Sequence, residues 1–259
     1  MADFTPFLNA ATGLRHHELP VVKSVPVPRA LLFVGNSLFF FNNGVHRMLR
    51  QLMAKTPGAP KFRTNMVAIN GASLSWHDVE SYFRPNAISS YAINANNEVV
   101  FRDPEEKLWD SLILMDSTQG PIHPVLGPQF KAAAARNAAI CRVHGAQPIF
   151  YITWAYRNRP EMTELLADAI ISAANENGAI AVPTGLAWAL ALERDPNLPL
   201  YIEDNRHPTL AGTYLQACVI AASLFGVRAT DIGTDNGIDP AVARVLRESA
   251  QETVDRFFG

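Results

Sequence analysis

The stretch that decides the fold is ALLFVGNS at residues 30–37, and an amphipathic stretch follows it at residues 45–54. Residues 30–34 are uniformly apolar, which is typical of a short strand buried on both faces of a sheet. Residues 45–54 repeat apolar side chains at helical spacing. The sequence therefore predicts a strand, a sharp turn and a helix, with Ser37 in the turn.

A turn of this kind exposes the hydroxyl of Ser37 at the end of the strand. It also aims the first backbone N–H groups of the next helix at whatever the hydroxyl attacks, which is the geometry that an oxyanion needs. Ser37 is therefore a candidate nucleophile. The alternative is an ordinary turn in which the serine caps the helix.

A second polar segment, DNRHP at residues 204–208, supplies a carboxylate and an imidazole. Three residues of separation can place Asp204 and His207 on the same side of one turn. Serine is a weak nucleophile at neutral pH, so we expect His207 to take its proton while Asp204 orients the ring. Pro208 suits the first turn of a helix predicted over residues 209–225. The alternative is a polar loop before a proline-started helix.

Strand-like and helix-like segments alternate along most of the chain. Strands are predicted at residues 30–35, 64–70, 111–116, 147–153 and 179–183. Helices are predicted at residues 45–54, 129–144, 161–177, 185–193, 209–225 and 240–257. This order favours the α/β class, a three-layer α/β/α sandwich with a parallel central sheet of about five strands. Ligands of such sheets bind beyond the carboxyl ends of the strands.

We predict an extended arm over residues 1–29, where Pro20, Pro26 and Pro28 stand, and a single domain over residues 30–259. Residues 81–107 fit no βα unit, because they contain two prolines and a run of asparagines. We therefore expect them to form an excursion, one that could overhang the site.

Composition narrows the class of partner. The chain has 259 residues, 48% of them hydrophobic, and a net charge of −2 with both signs scattered, which argues against nucleic acid and against an anionic membrane surface. The apolar residues 211–227 are too few for a membrane span. The N-terminus lacks the apolar core of a signal peptide, and the two cysteines lack metal or redox spacing, so a cytoplasmic protein is predicted. The seven histidines show no ligand pair, so no metal site is predicted.

The motifs resemble those of the SGNH, or GDSL-like, hydrolases over most of the chain. GNS at residues 35–37 is similar to the nucleophile block, in which aspartate is the commoner middle residue. NGASL at residues 70–74 resembles the second block, and residues 204–215 are similar to the block that carries the acid and base. The resemblance implies a flavodoxin-like α/β/α sandwich with esterase or lipase activity.

The same resemblance implies roles for individual residues. Ser37, His207 and Asp204 would form the catalytic triad, and the N–H groups of Ser37 and Gly71 would hold the oxyanion. Family members usually add a side-chain amide after the third strand, but residues 115–119 read MDSTQ without an asparagine. Either Gln119 substitutes, or the oxyanion hole has two backbone donors only.

Other residues near the predicted strand ends have weaker signals. Asn36, Trp154 and Arg157 are candidate substrate contacts. Trp154 is equally suited to packing under the catalytic loop, and Arg157 to pairing with a surface carboxylate. Ser73, with His77 four residues on, is a weaker candidate nucleophile, because only the adjacent Asp78 is placed to orient that histidine.

The sequence thus predicts a carboxylic ester hydrolase that cleaves a short acyl ester, of acetyl type, from a carbohydrate or small molecule. It needs no cofactor. The alternatives are a non-catalytic sugar-binding module on the same fold and an acyltransferase. The oligomeric state stays open, and a homo-oligomer is one alternative.

Overall fold

The computed structural model describes residues 18–103 and 106–259. Residues 1–17 of the predicted arm lie outside the described part. The rest of the arm contacts its own chain, since Val21 N–H donates to Asn175 Oδ1 and Asn175 Nδ2 donates to Leu19 O.

Five parallel strands form the central sheet, as predicted. They are β1 (Ala30–Gly35), β2 (Arg63–Ala68), β5 (Ser111–Leu114), β6 (Gln147–Tyr151) and β7 (Ile180–Val182). Their order is β2-β1-β5-β6-β7, so the chain leaves β1 toward one side and later returns to pair β5 on the other. The switch in winding direction opens a crevice beyond the carboxyl end of β1.

Helices cover both faces of the sheet. They are α1 (Ser37–Phe40), α2 (Val45–Ala54), α3 (Leu126–Val143), α4 (Met162–Glu176), α5 (Thr184–Arg194), α6 (Leu210–Phe225) and α7 (Pro240–Phe258). Leu31 and Phe33 of β1 face a core shared with α2, α5, α6 and α7, whereas Leu32 and Val34 face α3 and α4. The α/β/α sandwich is confirmed, and both faces of β1 are buried, which explains its uniformly apolar sequence.

Three strands end two residues earlier than predicted. The residues beyond β2, β5 and β6 leave the sheet to build the loops around Ser37. Helix α6 begins at Leu210 after Thr209 as its N-cap, so Pro208 precedes the helix rather than lying in its first turn. Helix α6 is almost wholly buried, and no helix of the described residues is long and apolar enough to cross a membrane.

Residues 81–107 contain an antiparallel hairpin, β3 (Tyr91–Ile93) with β4 (Val99–Phe101), which the sequence analysis did not predict. Before the hairpin, Phe83 stacks on His144 at the C-terminal end of α3. After it, Lys107 O accepts a hydrogen bond from Arg63 at the start of β2. Both ends are therefore anchored at the amino ends of the strands, and the expectation that this segment overhangs the site is wrong.

Candidate active site

The turn after β1 presents Ser37 at the carboxyl edge of the sheet. Asn36 is the N-cap of α1, since its side chain accepts a hydrogen bond from Leu38 N–H, and Ser37 is the first helical residue rather than the cap. Gly35 is needed here because a Cβ atom would lie 2.8 Å from the Met115 side chain and 2.9 Å from Phe39. The serine is 7% exposed, with its hydroxyl available to a neighbouring group.

That neighbouring group is the ring of His207. Ser37 Oγ lies 2.8 Å from His207 Nε2, and His207 Nδ1 is hydrogen-bonded to Asp204 Oδ2. A carboxylate can only accept, so Nδ1 carries the proton and Nε2 is free to accept the serine proton. The structure thus brings together all three residues predicted for the triad.

Two opposing effects act on the Asp204 carboxyl. Partial burial raises its pKa, but hydrogen bonds from the His207 ring and from the backbone N–H groups of His207 and Arg206 outweigh burial. The pKa lies below its ordinary value as a result. The group therefore stays ionised at neutral pH and can stabilise a protonated His207.

The histidine is also held by residues that the sequence analysis missed. The Phe41 ring stacks on the His207 ring with centroids 4.3 Å apart and planes 16° from parallel. Asn42, at a φ of 56°, donates from Nδ2 to Pro208 O at 3.0 Å and to Thr213 Oγ1 at 2.8 Å. The segment after the nucleophile therefore fixes the loop that carries the base. No local signal in residues 41–43 could have shown a contact with residues so distant in sequence.

The two residues after β6 that were predicted to contact substrate both contact the loop that carries His207, Trp154 through its side chain and Arg157 through its backbone. Trp154 is buried, stacks on Trp188 at 4.1 Å and donates from Nε1 to Arg206 O at 2.9 Å. Substrate binding by Trp154 was therefore a wrong prediction, because its ring faces the core. Arg157 donates its backbone N–H to Asn205 O at 2.9 Å, and its side chain is exposed.

Candidate donors for an oxyanion lie at Ser37 and on the loops after the two neighbouring strands, β2 and β5. Gly71 follows β2 with a φ of 70°, and its N–H has no acceptor among residues 18–103 and 106–259. Ser37 N–H, in the first turn of α1, is likewise without an acceptor there. Gln119, half-buried after β5, makes no side-chain hydrogen bond within the same residues. Because β2 and β5 flank β1, these groups lie on adjacent loops.

Asn36 ties those loops together. Its Nδ2 donates to Ala72 O at 3.0 Å and to Asp116 O at 3.3 Å, and its side chain is 3% exposed. The prediction that Asn36 contacts substrate is wrong for this reason: every polar atom of the amide already serves the backbone. The residue instead sets the spacing between the nucleophile turn and the loops after β2 and β5.

Asp116 reinforces this link from inside the β5 loop. Its carboxylate accepts from Leu74 N–H at 3.0 Å and from Ser117 N–H at 2.6 Å. Burial raises the pKa of Asp116, against the opposing effect of these hydrogen bonds. The group pins the end of the loop that carries Gly71.

The alternative nucleophile, Ser73, lacks a base. His77 contacts Gly35 O through Nε2 at 2.9 Å and Tyr82 Oη through Nδ1 at 3.0 Å, so both ring nitrogens are used away from Ser73. Burial lowers the pKa of His77 despite the hydrogen bond to Gly35. His77 is thus a neutral side chain that supports the turn before Ser37 through its hydrogen bond to Gly35 O. In the described part of the chain, no group of three or more His, Cys, Asp or Glu side chains is arranged to hold a metal ion.

No protein-family model matches the sequence, and no curated protein matches it. Solved structures do match. A DUF4886 family protein from Bacteroides uniformis has a TM-score of 0.61 at 18% identity, covering 87% of this chain and 94% of its own. A protein from Slackia heliotrinireducens that has been put forward as an SGNH hydrolase has a TM-score of 0.54 at 26% identity. The match covers 75% of this chain and 97% of that one.

A third match is a catalytic mutant of an acetylxylan esterase from Geobacillus stearothermophilus, with a TM-score of 0.55 at 13% identity, covering 78% of this chain and 96% of that one. The chain has the SGNH hydrolase fold. Asn36 of this chain donates two hydrogen bonds from its amide that an aspartate carboxylate could not donate.

The role of Asn36 can be tested by paired substitutions. Asn36→Asp keeps an acceptor for Leu38 N–H but removes the donors to Ala72 O and Asp116 O, whereas Asn36→Ala removes all three contacts. Leaving buried carbonyls unpaired costs about 1–3 kcal/mol, so both variants should lower the free energy of unfolding by about that amount. Chemical denaturation measures it. An Asn36→Asp variant as stable as the wild type would contradict the assignment.

The stacking of Phe41 on His207 predicts a kinetic effect. An aromatic face stabilises an adjacent cation by about 0.5–2 kcal/mol, and the ring also fixes the imidazole plane, so Phe41→Ala should lower kcat about 2- to 30-fold at nearly constant KM. Phe41→Tyr keeps the ring and should retain the wild-type rate. Steady-state kinetics on an activated ester measures both, and an unchanged kcat in Phe41→Ala would count against a positioning role.

Proposed function

We propose that the protein is a serine-dependent carboxylic ester hydrolase that uses Ser37, His207 and Asp204. The observation that carries this proposal is the contact between Ser37 Oγ and His207 Nε2, with Asp204 on the other ring nitrogen. The SGNH fold, which an acetylxylan esterase shares, supports it further. His77 is hydrogen-bonded to Gly35 O and so does not serve Ser73, which removes the support for Ser73 as the alternative nucleophile.

The acylation step follows from the tautomer of His207. Ser37 Oγ attacks the ester carbonyl carbon while its proton passes to Nε2, and the oxyanion forms within reach of the Ser37 and Gly71 N–H groups. Collapse of the tetrahedral intermediate breaks the bond to the alkoxy group, which takes the proton from Nε2 and leaves as an alcohol. Asp204 holds the ring and balances its charge throughout.

Deacylation repeats the same proton path with water in place of serine. His207 removes a proton from a water molecule, the hydroxide adds to the acyl carbon, and the departing Ser37 oxygen recovers the proton. The products are a carboxylic acid and the regenerated enzyme. Transfer to an alcohol instead of water would give the acyltransferase reaction through the same intermediate.

The proposed substrate is a short acyl ester of a carbohydrate or small molecule. Among the described residues the hairpin of β3 and β4 lies at the opposite edge of the sheet, so it cannot cover a long acyl chain. The loop that carries Gly71 also exposes Ile69 (40%) and Trp76 (63%). An exposed indole ring suits the apolar face of a sugar.

The decisive comparison is p-nitrophenyl acetate hydrolysis by the wild type, Ser37→Ala and His207→Ala, with Ser73→Ala as a matched control. Removing a triad member typically costs at least about 1,000-fold, so the first two variants should be inactive while Ser73→Ala stays active. Circular dichroism checks that all four are folded. An inactive wild type would favour the sugar-binding module, and an active Ser37→Ala would overturn the proposal.

The third oxyanion donor is tested by Gln119→Ala and the isosteric Gln119→Glu. If the Gln119 amide donates to the oxyanion, its loss should lower kcat about 100- to 1,000-fold with little change in KM. Gln119→Glu should lose at least as much, because a carboxylate repels the developing charge. Wild-type kcat in both variants would mean that the oxyanion is held by the two backbone donors alone.

A further inference from the structure

The hairpin of β3 and β4 presents large apolar side chains to solvent on both of its faces. The exposed fractions are 52% for Tyr91, 62% for Ile93, 54% for Val99, 50% for Val100 and 62% for Phe101. A contiguous exposed apolar patch usually marks an interaction surface. The hairpin is anchored near the amino ends of the central strands, whereas Ser37 lies at their carboxyl ends, so the proposed reaction does not explain the patch.

Both edges of this hairpin are unpaired among the described residues, and only β4 is flanked by an acidic and a basic residue, Glu98 and Arg102. Among the described strands β4 pairs with β3 only. Arg102 N–H donates to Ser90 O across the pair at 2.7 Å. Because such bonds alternate along an antiparallel ladder, Val100 also bonds toward β3, whereas the N–H and C=O groups of Val99 and Phe101 point outward. Edge strands are commonly protected by an internal charge or proline, and Val99–Phe101 contains neither.

We propose that this edge of β4 pairs antiparallel with the same edge of a second copy of the chain, around a two-fold axis at Val100. Val99 then exchanges two hydrogen bonds with the partner's Phe101, and the symmetry repeats them, which satisfies all the outward groups of the strand. Val100 lies opposite the partner's Val100. The result is a four-stranded sheet shared by two copies.

The charges that flank β4 favour a second copy of the chain as the source of the strand that pairs with it. Glu98 precedes the strand and Arg102 follows it, so the two-fold register places Glu98 opposite the partner's Arg102 on each side of the axis. Within one copy Arg102 lies 3.7 Å from Glu106, whereas Glu98 accepts a hydrogen bond from the uncharged Asn94 and has no cation beside it among the described residues. Opposite charges across a strand pair are stabilising, whereas a parallel arrangement would align like charges.

Apolar packing supports the same register. The rings of Tyr91 and Phe101 meet edge to face at 5.9 Å within one copy. In the paired sheet, the partner's Val99 lies directly opposite Phe101 on the same face. Val99, Val100 and Phe101 therefore all gain an apolar neighbour that a single copy does not give them. Isologous contacts of this kind are the commonest form of homodimer.

The register predicts a specific cross-link. Opposed residues in a non-hydrogen-bonded antiparallel pair have Cα atoms about 4.5 Å apart, which a disulfide can span, so Val100→Cys should form a covalent dimer under mild oxidation. Asn96→Cys, also exposed but at the hairpin tip and away from the axis, is the matched control and should not cross-link. The native cysteines Cys141 and Cys218 are buried, which keeps the background low.

Sedimentation velocity gives the second readout. The wild type should be dimeric at about 100 µM protein, since small interfaces of this kind are weak but specific, and Val100→Lys should be monomeric with an unchanged circular dichroism spectrum. A monomeric wild type at that concentration would overturn the proposal. A dimer that survives Val100→Lys would place the interface elsewhere, and a dimer whose Val100→Cys form does not cross-link would overturn the register.

Discussion

The position of β1 between β2 and β5 is the constraint on which the site depends. It encloses the nucleophile turn between two loops, and the Asn36 amide binds that turn to both of them through Ala72 O and Asp116 O. The same turn continues into Phe41 and Asn42, which hold the loop of His207. The candidate nucleophile, oxyanion donors and base are thus positioned by the contacts of one short segment, residues 35–42.

Much of this could be predicted from sequence, because buried parallel strands and amphipathic helices have local signatures. The five strands, the α/β/α layers and the approach of Ser37 to Asp204 and His207 followed from residues that stand near the ends of predicted elements. The roles of Asn36 and Trp154 were predicted wrongly, since a polar or aromatic residue at a strand end looks the same in sequence whether it faces substrate or supports a loop. Phe41 was missed because its importance lies in a contact with the distant His207. The hairpin was missed because each of its strands has only 3 residues, too few to show a periodic pattern.

The two edges of the sheet carry different kinds of surface. At the carboxyl ends of the strands, the buried side chains of Asn36 and Asp116 are hydrogen-bonded, and the N–H groups of Ser37 and Gly71 have no acceptor among the described residues, an arrangement suited to a developing negative charge. At the amino edge, the hairpin presents an apolar strand with unpaired backbone groups. Self-association at that edge would leave the candidate active site of each copy open to solvent.

The most direct test of the central claim is labelling with a fluorophosphonate probe, followed by mass spectrometry of the peptides. A serine activated by His207 should be modified stoichiometrically, and the account predicts that the label lies on Ser37 and disappears in His207→Ala. A label on Ser73, or no label on a folded wild-type protein, would contradict it.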